Sequence, residues 1–124
     1  MKDLCSCGRV ATFEACCARY LGTGVPAPDA ESLMRSRYAA FVRGNAAHLL
    51  ATWHVSTRPT SIDFDEGVKW LGLEVKRYTP VDAAHAEVEF VARSRVQGRG
   101  QRLHERSRFV CEDGHWLYLD GDLL

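Results

Sequence analysis

At 124 residues, with 16 basic and 16 acidic side chains and five cysteines, the chain suits one domain plus a short appendage, and a domain of this size buries roughly two thirds of its unfolded surface without needing cross-links. The charge balance gives no overall electrostatic reason to expect nucleic acid or an anionic membrane as partner, and no apolar stretch approaches the ~20 residues that span a bilayer. No leader pattern opens the chain, so a cytoplasmic location is expected, where clustered cysteines hold metal or do redox chemistry in preference to forming disulfides.

Four of the five cysteines fall at the amino end, as Cys5-Ser6-Cys7-Gly8 and then Cys16-Cys17. Gly8 can take the positive φ needed to fold two thiolates around one centre. The second pair is predicted on a short helix over 13–20. Two close pairs separated by a short loop satisfy the tetrahedral set of soft ligands that Zn²⁺ prefers, and four thiolates leave no open position. The expectation is one structural zinc ion per chain on Cys5, Cys7, Cys16 and Cys17, with Phe13 and Tyr20 covering it. The competing reading of the same residues is a set of free or redox-active thiols.

Residues 21–28 are rich in glycine and proline and form a connector. Asp29 is a good N-cap, and the helix it opens should run from Ala30 to Arg43 and stop at Gly44. Leu33, Met34, Arg37, Tyr38, Phe41 and Val42 have helical spacing, and the apolar ones mark its buried face. Asn45 caps a second, shorter helix. Residues 54–62 read as loop, and 63–68 as another helical turn.

The period then changes to two. Leu71, Leu73 and Val75 form one face of the first strand, opposite Trp70, Glu74, Lys76 and Tyr78; Pro80 and Asp82 punctuate it. Ala86, Val88, Phe90 and Ala92 alternate with Glu87, Glu89, Val91 and Arg93 in the second. The segment Gln97-Gly98-Arg99-Gly100 signals a hairpin, and no helix follows it as a phosphate-cradling loop would need. In the third strand Leu103, Glu105, Ser107, Phe109 and Cys111 share a face, with Cys111 as a small core residue. The segment Glu112-Asp113-Gly114 turns the chain into a fourth strand, from His115 to Asp120. Helices followed by a four-stranded antiparallel meander imply an α+β domain with helices on one face of a curled sheet. The predicted division is a knuckle over 1–21, a linker over 22–28 and the α+β domain over 29–124. The six arginines from Arg93 to Arg108 are not interleaved with a stacking platform, so nucleic acid is not expected.

The knuckle resembles the SEC-C motif, the small zinc module at the carboxyl end of the SecA translocation ATPase: Cys-x-Cys-Gly, a spacer of eight residues with an aromatic, then Cys-Cys or Cys-His. Its spacer departs from the lysine-rich pattern of that motif, Arg9 being the only basic residue between Cys7 and Cys16. The remainder is similar to the bacterial YchJ family. The likeness is carried by Leu33-Met34-Arg35-Ser36-Arg37-Tyr38-Ala39-Ala40-Phe41-Val42, Thr52-Trp53-His54, Trp70-Leu71-Gly72-Leu73, Glu105-Arg106-Ser107-Arg108-Phe109 and Asp120-Gly121. Some members carry a second SEC-C motif at the carboxyl end, which is absent from this sequence. The resemblance implies a cone-shaped fold like nuclear transport factor 2 (NTF2-like), in which a curved sheet wraps helices around a cavity. It implies no particular reaction.

If the cavity lies on the Leu103 side of the third strand, Glu105 and Ser107 face it, and a carboxylate there needs an arginine partner or a ligand. Arg35 or Arg37 from the first helix could be that partner. Tyr38, Trp53, His54 and Trp70 complete the expected cavity set. His54, which titrates near neutrality, is the best placed acid–base candidate, against the simpler reading of a packing or capping histidine. Glu89 with Arg93, and Glu105 with Arg106 or Arg108, could fix a small ligand or be plain cross-strand pairs. The function expected is a zinc-binding adaptor, with a protein partner on the knuckle and a peptide or small molecule in the cone. The alternatives are a small enzyme using His54 and Glu105 in the cavity, and a thiol redox sensor at Cys16-Cys17.

Overall fold

The computed structural model describes residues 4–21, 23, 25–64 and 67–124. After the cysteine-rich segment come helix α1 (Ala30–Arg43), helix α2 (Ala46–Ala51) and strands β1 (Val68–Asp82), β2 (His85–Val96), β3 (Arg99–Glu112) and β4 (His115–Leu123). The strands form one antiparallel sheet in the order β1-β2-β3-β4.

Local chemistry sets most of the boundaries. The Asp29 carboxylate accepts the Ser32 N–H at 2.7 Å, satisfying a donor that the helix start leaves unpaired, and Gly44 ends α1 with φ 67°. Asn45 caps α2 by accepting the His48 N–H at 3.0 Å. Both later hairpins close through two residues of positive φ, Gln97-Gly98 (51° and 79°) and Asp113-Gly114 (52° and 79°), which matches the twist of the flanking strands. The turn expected over 63–68 lies partly outside the described residues, and Val68 already belongs to β1.

The concave face of the sheet follows the register. Trp70, Leu73, Val75, Tyr78 and Pro80 stand opposite Ser94, Ala92, Phe90, Val88 and Ala86. The last four of these meet Leu103, Glu105, Ser107 and Phe109 on β3. Three features correct the sequence reading. Bulges between Trp70 and Gly72 and between Val75 and Arg77 each add a residue and reverse the alternation. Trp70 and Tyr78 therefore pack on the core with Leu73 and Val75, while Leu71 is 47% exposed. Val42, expected on the buried face of α1, is exposed. Pro80 continues β1 instead of ending it, which an edge strand tolerates.

Helix α1 lies on this concave face with Leu33, Met34 and Tyr38 in the core. The other edge strand is covered. Trp53 bridges to Tyr118, with Tyr118 N–H donating to Thr52 O and His54 N–H to Tyr118 O, both at 2.8 Å. On the convex face the charged side chains pair: Arg108 with Asp120 and Asp122, Arg106 with Glu87 and Asp122, Arg93 with Glu74, and His104 with Glu89. None of the described helices is long and apolar enough to cross a membrane.

Candidate metal centre and cavity

Helix α1 separates two features, a cysteine cluster on one side and a cavity on the other. Residues 4–12 form a tight loop closed by the Cys5 N–H to Ala11 O bond at 2.7 Å and a bridge between Leu4 and Thr12. Gly8 turns it at φ 94°, and a Cβ there would lie 2.9 Å from Leu73 O on β1. Instead of the helix expected over 13–20, the chain makes a turn and one 3-10 helix, Cys17–Arg19. That compact path leaves both cysteines of the second pair facing inward.

The ligand atoms of Cys5, Cys7, Cys16 and Cys17 all lie within 4.8 Å of one another, and all four residues are buried. The Cys7 and Cys16 sulfurs are 3.5 Å apart, those of Cys16 and Cys17 4.0 Å. A tetrahedron of thiolates about 2.3 Å from a shared ion has edges of about 3.8 Å, whereas a disulfide would need about 2.05 Å. The donor set therefore fits one metal ion. The Cys17 thiol and the Arg9 N–H donate to Cys7 and, against burial, bring its pKa down to about 5; burial pushes Cys16 up to about 11, and Cys17 is pushed up as donor to Cys7. A bound cation would allow all four thiols to lose their protons.

The cluster is seated on α1 through side chains at spacing four, one ridge of the helix. Glu31 accepts from Arg9 at 3.4 Å. Arg35 Nη1 donates to Cys7 O at 2.7 Å and its Nε to Glu31 at 3.0 Å. Ala39, with no exposed surface, packs with the four cysteines. Arg43 lies 3.4 Å over the Phe13 ring. Arg19 Nε also donates to Cys16 O at 2.9 Å. Phe13, Ala11 and Leu21 cover the cluster; Tyr20, expected to do so, belongs to the main core.

On its other side α1 presents Met34, Arg37, Tyr38 and Phe41 to a cavity of about 310 Å³. The sheet contributes Trp70, Phe90, Leu103, Glu105, Ser107, Phe109 and Tyr118, and the segment after α2 contributes Trp53. Of the residues expected here, Arg37, Tyr38, Trp53, Trp70, Glu105 and Ser107 do line it, whereas Arg35 and His54 do not. Arg35 is committed to the cysteine loop. His54 binds Glu112 at 2.9 Å and Ser56 at 2.7 Å on the surface, tying the loop after α2 to the β3–β4 hairpin. His54 and Glu105 thus share no pocket, and the acid–base pair expected of them does not form.

Arg37 is 6% exposed. Its Nη1 donates to Leu49 O and Thr52 Oγ1, both at 2.8 Å, and its guanidinium lies 4.9 Å from the Trp53 ring centre and 4.8 Å from that of Tyr118. Burial brings its pKa down to about 10, opposed by Tyr118 and Glu105. Glu105 Oε2 accepts from the Ser107 hydroxyl and, at 3.3 Å, from Tyr118 OH. Burial and the Glu105 charge raise Tyr118 to about 12, so it stays a donor. No ion pair joins Glu105 to Arg35 or Arg37 among the described residues; two hydroxyls take the place of the expected arginine.

Two participants were absent from the sequence reading of the site. Tyr118 touches Arg37, Trp53, Phe109 and Glu105; its place two residues after Trp116 on β4 was the available signal. Gly121 faces Ser107 across β3–β4, and a Cβ there would stand 2.5 Å from Glu105 Oε2.

Residues 29–121 match the family described as "YchJ, middle NTF2-like domain". The chain is similar to a UPF0225 protein of Polaromonas sp., 63% identical over 95% of this chain and 91% of the relative. It is also similar to one of Xanthomonas campestris pv. campestris, 54% identical over 96% and 94%. Among solved structures, a SEC-C motif containing protein from Rhodopseudomonas palustris superposes with a TM-score of 0.87 at 32% identity, over 100% of this chain and 99% of the other. A second, from Psychrobacter arcticus, gives 0.79 at 29% identity, over 94% and 80%.

Proposed function

We propose that the chain, which belongs to the YchJ family, is a zinc-stabilised binding module: the cysteine knuckle holds one structural Zn²⁺ and the cone cavity takes a small molecule. Cys5, Cys7, Cys16 and Cys17 would hold the ion, which would cross-link the loop and present no open position to a substrate. Protein residues carry the rest. Arg35, Glu31 and Arg43 orient the loop on α1, and the residues one turn-face away, Met34, Arg37, Tyr38 and Phe41, shape the cavity wall.

The observation that carries this reading is the position of α1, packed by the cysteines on one ridge and lining an aromatic cavity with the other. A pocket of this size and apolar lining, with a few convergent polar groups, is the usual form of a small-molecule site. Clustered cysteines that hold metal in preference to forming disulfides are typical of a reducing compartment, which supports a cytoplasmic location. Leu4 and Val10, 61% and 90% exposed, are where a protein partner would meet the knuckle.

Toluene, a neutral aromatic probe, tests the cavity by amide NMR of the zinc-loaded protein. Saturable shifts at Tyr38, Glu105 and Ser107 are expected. A spectrum unchanged by toluene at its solubility limit would overturn the cavity reading.

A further inference from the structure

Resting on that reading of the cavity, we infer that its ligand is a small planar aromatic molecule that donates an N–H hydrogen bond to Glu105 Oε1. The walls set the shape: Tyr38, Phe41, Trp70, Phe90 and Phe109 surround the space, and ring–ring contacts such as Tyr38 with Trp70 at 5.6 Å show edges and faces already arranged for another ring.

The polar inventory sets the chemistry. Ser107 and Tyr118 donate to Glu105 Oε2, and Arg37 Nη1 donates to Leu49 O and Thr52 Oγ1 while its guanidinium lies beside the Trp53 and Tyr118 rings. Glu105 offers a second acceptor. No hydrogen bond reaches Glu105 Oε1 among the described residues, and the carboxylate is held in place from behind, because Oε2 fills the space that a side chain at Gly121 would need. A bound N–H would give Oε1 the kind of donor that Oε2 already has, in a mostly apolar site where such a bond is stronger than in water. An anionic ligand would instead have to approach the Glu105 carboxylate against its charge.

Benzamidine, benzamide and benzoate share a shape and differ in the group they offer, an amidinium, an amide N–H and a carboxylate. Titrated into the zinc-loaded protein with Tyr38, Glu105 and Ser107 amide shifts as readout, benzamidine and benzamide are expected to bind at least tenfold tighter than benzoate. Glu105→Gln, which keeps an acceptor for Ser107 and Tyr118 but loses the charge, is expected to erase the preference for benzamidine. Benzoate binding as tightly as benzamidine, or a preference that survives in Glu105→Gln, would overturn the inference. If that variant fails to fold, the wild-type comparison decides. Toluene separates the two readings: saturable toluene binding without any preference for N–H donors sinks the ligand class alone, and absence of all binding sinks the cavity reading with it.

Discussion

Arg35 Nη1 donates to Cys7 O at 2.7 Å, joining the middle of α1 to the carbonyl of a residue of the cysteine cluster 28 positions earlier in the chain. Through Nε the same guanidinium holds Glu31, whose carboxylate also reaches Arg9 in the spacer. One side chain thus spans helix, ligand and spacer.

Arg35→Met removes these bonds and keeps the stem that packs beneath them. A loss of about 1–3 kcal/mol is expected, the range for hydrogen bonds to a charged group. The four-thiolate set itself remains. Zinc should still bind, yet leave to a chromogenic chelator several-fold faster than from wild type. An unchanged release rate would show that the loop is held by the metal alone.

Gly121→Ala tests the placement of Glu105. The added methyl would overlap the Glu105 carboxylate, so the carboxylate must move or the strands must part, at about 1–3 kcal/mol. Gly100→Ala on the same sheet, where a Cβ meets nothing within 4 Å, is expected to stay within about 0.5 kcal/mol of wild type. Urea unfolding of the two variants makes the comparison. Equal midpoints would contradict the crowding at Gly121.

His48 gives a pH dependence of known sign. Its Nε2–H donates to Ser36 Oγ at 3.0 Å, since the Ser36 hydroxyl spends its own hydrogen on Leu33 O. Burial, with Arg37 nearby, brings its pKa down from 6.5 to about 4. Above pH 6.5 neither folded nor unfolded protein protonates it. Between 6.5 and 4 the unfolded chain takes up a proton that the folded one refuses, so stability falls as pH falls, by on the order of 2–3 kcal/mol. The stability of wild type relative to His48→Gln should fall as pH drops through that window and be flat above it. A difference independent of pH would rule the contribution out.

Much of the fold was legible because its signals are local. Asp29, Gly44, Asn45 and the two hairpins each act on their immediate neighbours, and the β3 face was read correctly because β3 keeps a strict period of two between Leu103 and Phe109. The β1 face was misread because its bulges reverse the alternation, and nothing in Trp70-Leu71-Gly72-Leu73 except the glycine announces one. The cysteine cluster followed from spacing. Its seat did not, since the ridge of Glu31, Arg35, Ala39 and Arg43 looks like a solvated helix face until the loop is folded over it. A small alanine amid three charges was the only sign. His54 was misplaced for the same reason: its partner, Glu112, is 58 residues away.

Elemental analysis of protein purified under reducing conditions without added metal tests the central claim most directly. About one zinc per chain is expected, lost in Cys16→Ser. Protein that is folded and metal-free, with all four of Cys5, Cys7, Cys16 and Cys17 open to thiol reagents, would contradict it.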